Sequence, residues 1–174
     1  MKKIILGFIV LFIVAIVAFI VLKGKDTYDP SKFYVEVEGK MEPGAKIDLK
    51  LPDQFDKTHT LDDDTKVIIA VFTKDAAHKV IDFLKKEPKG YLESKNAQFI
   101  ADISKMPVII RNTFALPDLQ KSDYTILLIY DENLSKKFHN NKNTDKIFVI
   151  FLDNKKIKDI KYAADEKELK EILK

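Results

Sequence analysis

Hydrophobic positions along the chain fall into two kinds of pattern. The first is one unbroken run, residues 4–22, 19 positions without a charge. The second is a series of shorter segments with periods of two or of about 3.6. Phe33, Val35 and Val37 alternate with Tyr34, Glu36 and Glu38, as in a short strand. Ile47, Leu49 and Leu51 alternate with Asp48 and Lys50, which predicts a half-buried strand. A turn-like stretch at 52–57 leads to a second extended run at 58–61. Residues 67–72 are apolar throughout, the composition of a strand covered on both faces. A helix is expected over 75–86, with Ala77, Val80, Ile81 and Leu84 on one stripe, Thr73 or Asp75 as its cap and Pro88-Lys89-Gly90 as its stop.

The same reading continues to the C-terminus. A short helical turn is expected at 92–95 and a strand at 97–102. Ser104 suits a helix cap and Pro107 a first helical turn, so a helix should follow, with Val108, Ile109 and Phe114 facing inward and Pro117 ending it. Residues 124–130 and 147–152 are buried strands, 154–155 a turn, 156–162 an edge strand. A final helix over 165–174 turns Leu169, Ile172 and Leu173 to one side. The order is extended hairpin, β, α, β, α, β, β, β, α. Helical crossovers between apolar strands imply right-handed parallel pairing, and the closing hairpin implies an antiparallel edge. The fold class is α/β, a thioredoxin-like sandwich with a mixed sheet; a small ferredoxin-like or flavodoxin-like layer is the alternative.

The long apolar run changes the picture most. As a helix it would extend roughly 28 Å, close to the hydrocarbon thickness of a bilayer. Lys2 and Lys3 flank it on one side and Lys23 on the other. A cleaved leader has about 7–15 apolar residues and small residues at its cleavage site; this run is longer and ends Val21-Leu22-Lys23-Gly24-Lys25. The expected organisation is a transmembrane anchor at 1–25, a juxtamembrane linker at 26–45 and a folded domain at 46–174. The short basic tail favours an N-terminus inside and a single-pass protein of the inner (cytoplasmic) membrane. Its domain would face outward, into the periplasm of a Gram-negative cell.

Composition then removes several classes of function. The chain has 30 Lys+Arg and 27 Asp+Glu, but four of the lysines lie in residues 1–25, so residues 26–174 carry a net charge of −1. A near-neutral domain lacks the positive face that nucleic acid requires. There is no cysteine. That removes disulfides, thiol nucleophiles, thiolate metal sites and thiol–disulfide exchange. No hydrolase, P-loop or dinucleotide-binding motif occurs, and no cofactor is called for.

Two segments carry a resemblance. Residues 51–61, LPDQFDKTHTL, followed by 67–78, VIIAVFTKDAAH, resemble the opening of thioredoxin-like and peroxiredoxin-like proteins. Residues 99–132 contain a D-I-S-x-M-P turn (102–107) and an F-A-L-P segment (114–117) and resemble uncharacterised bacterial envelope proteins of that fold. The resemblance implies that the redox motif would stand at about Asp75-Ala76-Ala77-His78, and that a proline would precede strand 147–152. This chain has neither. It therefore implies the fold without the redox chemistry, and a binding or assembly module contacting another envelope protein.

The residues left as candidates are few. His59, Asp75 and His78 offer imidazole and carboxylate for zinc or copper(II), the basis of an alternative metal-binding or hydrolytic reading. No paired-histidine spacing supports it, and His59, His78 and His139 all read as ordinary surface residues. The acidic Asp62-Asp63-Asp64 run lacks the pattern of a calcium loop. Asp102, Ser104, Met106, Pro107 and Arg111 are candidates for a structural or groove role. Arg111 is the lone arginine beside 29 lysines. Its planar fork suits an ion pair with Asp102 or Asp118 that would clamp the D-I-S-x-M-P turn.

Overall fold

A computed structural model describes residues 2–139 and 142–174, with side chains from Phe8 onward, position 10 aside. Helix α1 spans Lys2–Lys23. A 3₁₀ turn at Pro30–Lys32 leads into three antiparallel strands, β1 (Tyr34–Val37), β2 (Ile47–Pro52) and β3 (Thr58–Thr60), in the order β1-β2-β3. Then follow β4 (Val67–Val71), α2 (Lys74–Leu84), α3 (Tyr91–Ser94) and β5 (Ala97–Asp102). Next come α4 (Val108–Ile110), a π turn (Arg111–Ala115), α5 (Leu116–Leu119), β6 (Ile126–Ile129) and α6 (Glu132–His139). Strands β7 (Ile147–Asp153) and β8 (Lys156–Ala163) and helix α7 (Glu166–Ile172) complete the fold.

The larger sheet has the order β6-β5-β4-β7-β8. β4, β5 and β6 run parallel, while β7 and β8 are antiparallel, so the expected mixed sheet is present. Side-chain alternation assigns the two faces. Val67, Ile69 and Val71 of β4 pack with α2, α3 and α7 residues such as Val80, Phe83, Leu92 and Leu169. Ile68, Ala70 and Phe72 pack on the other side with Val35, Ile47, Leu49 and Leu51 of the small sheet and with Phe138 of α6. Each fully buried Leu, Ile or Phe contributes about 1.5–3 kcal/mol by leaving water, so this double-sided core dominates stability.

The small sheet seals an edge of the large one. Gln54, 3% exposed, reaches β6 with both ends of its amide. Its Nε2 donates to the Tyr124 carbonyl (2.8 Å) and its Oε1 accepts from the Ile126 N–H (2.9 Å). Gln54 thus replaces a missing neighbour strand and blocks edge pairing. The Asn154-Lys155 turn has φ of 47° and 61°, the left-handed pair that a two-residue hairpin needs.

Several elements differ from the sequence expectation. Helix α6 was not anticipated. Its apolar signal is only Leu134 and Phe138, one turn apart in a lysine-rich segment. The buried stripe of α2 is Ala76, Val80, Phe83 and Leu84, because the helix starts at Lys74 with Thr73 as its cap. Ser104 caps no helix; the helical segment begins at Val108, after Pro107. Pro117 lies inside α5, and the helical path continues through it. A proline lacks the N–H and crowds the carbonyl four residues back. The turn before it widens accordingly, with the Leu116 N–H bonding Arg111 O five residues back. In this turn Arg111 is buried, while Phe114, expected inside, is 65% exposed. β1 is the short strand expected from the alternation at 33–38; it lies within the stretch expected as linker, and its Val35 is fully buried.

α1 is helical over 22 residues. Among the described residues no helix is long and apolar enough to cross a membrane. The expected span therefore rests on the sequence of residues 4–22.

Candidate functional site

The parallel strands β4, β5 and β6 end together, and the loops after them converge at one edge of the molecule. In open α/β sheets this edge is where ligands bind. Three sets of residues occupy it.

The first is the start of α2. Thr73 accepts from the Ala76 N–H (3.3 Å), so the helix is capped by its own chain. Asp75 and His78 are exposed there and Ala76 is buried. Phe72, Thr73 and Lys74 face Asp102, Ile103, Lys105 and Met106 across an open cleft of about 280 Å³.

The second set is a line of hydrogen bonds behind the cleft. Asp102, at the end of β5, accepts from the Ser104 N–H (2.8 Å) and from the Ser135 hydroxyl (2.5 Å). Ser135 Oγ lies 3.1 Å from His139 Nε2, and the imidazole meets the Phe72 ring edge-on at 4.6 Å. Because the serine proton goes to Asp102, the His139 Nε2–H is the donor to Ser135. A hydrolytic triad needs the imidazole between carboxylate and hydroxyl, so that it can take the nucleophile's proton. Here the hydroxyl stands in the middle, and Ser135 is 2% exposed. The line ties α6 to β5; it does not activate a nucleophile. His139 is itself buried, contrary to the surface position expected for it. Burial, with Lys105 and Lys136 nearby, holds its pKa below that of an ordinary histidine, against the opposing pull of Asp102.

The third set centres on Arg111, which is 4% exposed. Its Nη2 donates to Asp26 Oδ1 at 2.6 Å, and its guanidinium lies 4.6 Å from the Tyr130 ring centre. Tyr28 stacks on Tyr130 at 4.8 Å, and Phe33 stacks on Tyr28 at 5.5 Å. Burial first, then the charge of Asp131, pushes the Tyr28 phenol up to about 12. Tyr130 is also pushed up to about 12 by burial, although Arg111 pulls the other way. Asn112 adds two donors, to the carbonyls of Lys23 (2.9 Å) and Lys25 (3.0 Å). The expected arginine clamp therefore exists with a different partner. Asp102 is engaged by Ser104 and Ser135 and Asp118 by Lys121, so the acid is Asp26. What it holds is the segment after α1, not the D-I-S-x-M-P turn.

The remaining candidates are not brought together. His59 pairs with Asp53 (2.8 Å), a buried acid whose other oxygen accepts from the N–H groups of Phe55 and Lys57. Among the described residues no three His, Cys, Asp or Glu side chains converge as a metal ion would require. Ser104 presents a buried hydroxyl with no partner among the described residues, Met106 packs against the core, and Pro107 is exposed. Sequence reasoning missed Asp26, Tyr28, Tyr130, Ser135 and the burial of His139. One signal was available. Asp131 follows an apolar strand, and its carboxylate accepts from the Asn133 N–H, the mark of a helix start.

The architecture and the parallel-strand edge define a thioredoxin-like α/β fold, here without a cysteine. Among solved structures, a protein described as a disulfide isomerase from Bacteroides thetaiotaomicron is similar over 82% of this chain and 89% of that one. Its identity is 17% and its TM-score 0.53. A peroxidoxin from Mycobacterium tuberculosis (16% identity, 76% and 94% covered, TM-score 0.49) is also similar. So is a thioredoxin-like protein from Porphyromonas gingivalis (18% identity, 71% and 86% covered, TM-score 0.47). No protein-family model matches this sequence, and no curated protein matches it. The comparisons bear on the fold and do not single out the D-I-S-x-M-P or F-A-L-P segments.

Proposed function

We propose that this is a membrane-tethered thioredoxin-like domain that works by binding another envelope protein rather than by redox chemistry. The observation that carries the reading is the pairing of a charge-free run at 4–22 with a domain of redox fold that contains no thiol. Thiol–disulfide exchange requires a thiolate, so the cleft beside α2 keeps its shape without that reaction. Its walls are mixed in character: Met106 offers a half-buried apolar side chain, Phe72 and Ile103 line the cleft from the buried core, and Lys74, Lys105 and Asp102 supply charge. Such a surface suits a peptide segment with an apolar anchor and a polar flank. α1 supports the tether, since Phe8, Leu11, Phe12 and Val14 are each at least 60% exposed and α1 makes little use of the domain to cover them.

The tether places the basic tail inside and the domain outside, at the cytoplasmic membrane. Washing membranes from expressing cells with alkaline carbonate tests it. The full chain is expected to stay in the pellet. Release into the supernatant would refute the tether.

A further inference from the structure

Among the described residues outside α1, the exposed large hydrophobic ones are Phe55, Ile110, Phe114 and Tyr162. Two of these four lie four residues apart on the same helical segment, Ile110 at 44% and Phe114 at 65% exposed. This segment also holds the end of α1. Asn112, between them in sequence, donates to the carbonyls of Lys23 and Lys25, and α1 packs against α4. Arg111 grips Asp26 directly beyond. The chain between the helix end and the clamp is thus two residues, Gly24 and Lys25. Gly24 closes the helix by donating to Ile20 O at 2.7 Å, and a Cβ there would come within 2.6 Å of that oxygen. The domain is thus held close to the end of α1.

The apolar run ends at Leu22, so Lys23 marks the level at which α1 would leave the hydrocarbon. The headgroup layer beyond it is roughly 5–8 Å deep on each side of a bilayer. Residues 110–114 are held within one asparagine side chain of that level. Aromatic side chains are enriched in this layer, and Lys23 and Lys25 suit anionic headgroups there. Asp26 is paired with Arg111 and Asp118 with Lys121, while Asp56 and Asp131 stand near Tyr130 and Tyr28 on the same side.

We propose that the face of α4 and the π turn bearing Ile110 and Phe114 sits in the headgroup layer of the bilayer that holds α1, a step that rests on the tether proposed above. The occupant of this apolar face is lipid. The domain then lies on the membrane in one orientation, with the ends of β5 and β6 toward it, and the cleft beside α2 opens close to the membrane surface. A partner would be met there, near the bilayer, rather than in free solution.

The chain has no tryptophan, so single tryptophans report position without background. The test uses the full chain in vesicles of phosphatidylethanolamine and phosphatidylglycerol, with lipids brominated near either end of the acyl chain. Three variants are compared: Phe12→Trp within α1, Phe114→Trp, and Tyr162→Trp on β8 as the reference. The expected result is deep quenching of Phe12→Trp. Phe114→Trp should show blue-shifted emission and quenching by the headgroup-end bromine several-fold stronger than Tyr162→Trp. Adding Asp26→Asn and Asn112→Ala to Phe114→Trp should weaken that quenching. If Phe12→Trp is quenched while Phe114→Trp matches Tyr162→Trp, the docking is overturned and the tether stands. If Phe12→Trp is not quenched, both fall.

Discussion

The Arg111 guanidinium lies over the Tyr130 ring and pairs with Asp26, and the two contacts make different demands on the side chain. Lysine could keep the ion pair. It would lose the guanidinium's contact with the Tyr130 ring, a cation–π interaction worth about 2 kcal/mol when desolvated and less when exposed. Because Asp26 is 47% exposed, the ion pair itself is screened by water. We expect Arg111→Lys to cost about 1–2 kcal/mol in urea unfolding of residues 24–174; a loss within the usual surface scatter of about 0.5 kcal/mol would mean that the ring contact contributes nothing.

His139 makes the second residue-scale prediction. Its folded pKa lies below that of an ordinary histidine, with burial as the main cause. The unfolded chain therefore binds the proton more readily than the folded one. The stability tied to this group is present above the unfolded value of about 6.5 and is lost as pH falls through it toward the folded value. His139→Gln removes the titration. We expect the wild type to lose more stability than His139→Gln between neutral pH and a pH just above the carboxylate range. Equal slopes would contradict the assignment. The lone arginine was conspicuous in the sequence, but its partner was not, because Asp26 is 85 residues away in the chain. The burial of His139 was equally hidden, since it depends on a helix that two apolar residues barely announce.

At the scale of elements, the legible parts were those with strong periodicity. β2, β4, β5, β7 and α7 lie where alternation or a helical stripe placed them, because burial against one or both sheet faces writes itself into the sequence. α6 and the π turn were not legible. α6 is held through Ser135 and His139, polar residues that a hydrophobic count ignores. The π turn depends on how one proline, Pro117, reshapes the turn before it, and sequence spacing treats such a proline as a stop.

The Gln54 seal belongs to this scale too, since it closes a strand edge with a side chain. Gln54→Ala would leave the buried Ile126 N–H without its acceptor, and an orphaned buried donor costs about 1–3 kcal/mol. We expect faster hydrogen exchange at the Ile126 amide in this variant and a greater tendency to self-associate, as an uncovered edge would give. Unchanged exchange at Ile126 would show that the ladder to β5 alone protects β6.

At the scale of the whole molecule, three features point the same way. The charge-free run, the clamp after α1 and the open cleft at the parallel-strand edge are the observations on which the proposed tether and the proposed partner binding rest. The absence of cysteine was read directly from the sequence and limits the chemistry. The thioredoxin-like fold was legible because its order of strands and crossovers is carried by four apolar strands, β4, β5, β6 and β7. The clamp between linker and domain became visible only in three dimensions.

The claim that matters most is that the cleft beside α2 binds protein. A photo-reactive amino acid placed at Met106, on the cleft wall, and at Tyr162, on β8, tests it in cells carrying the full chain. A protein-binding cleft gives a protein adduct of defined mass from Met106, identifiable by mass spectrometry, and none from Tyr162. No adduct at Met106 beyond what Tyr162 gives would contradict it.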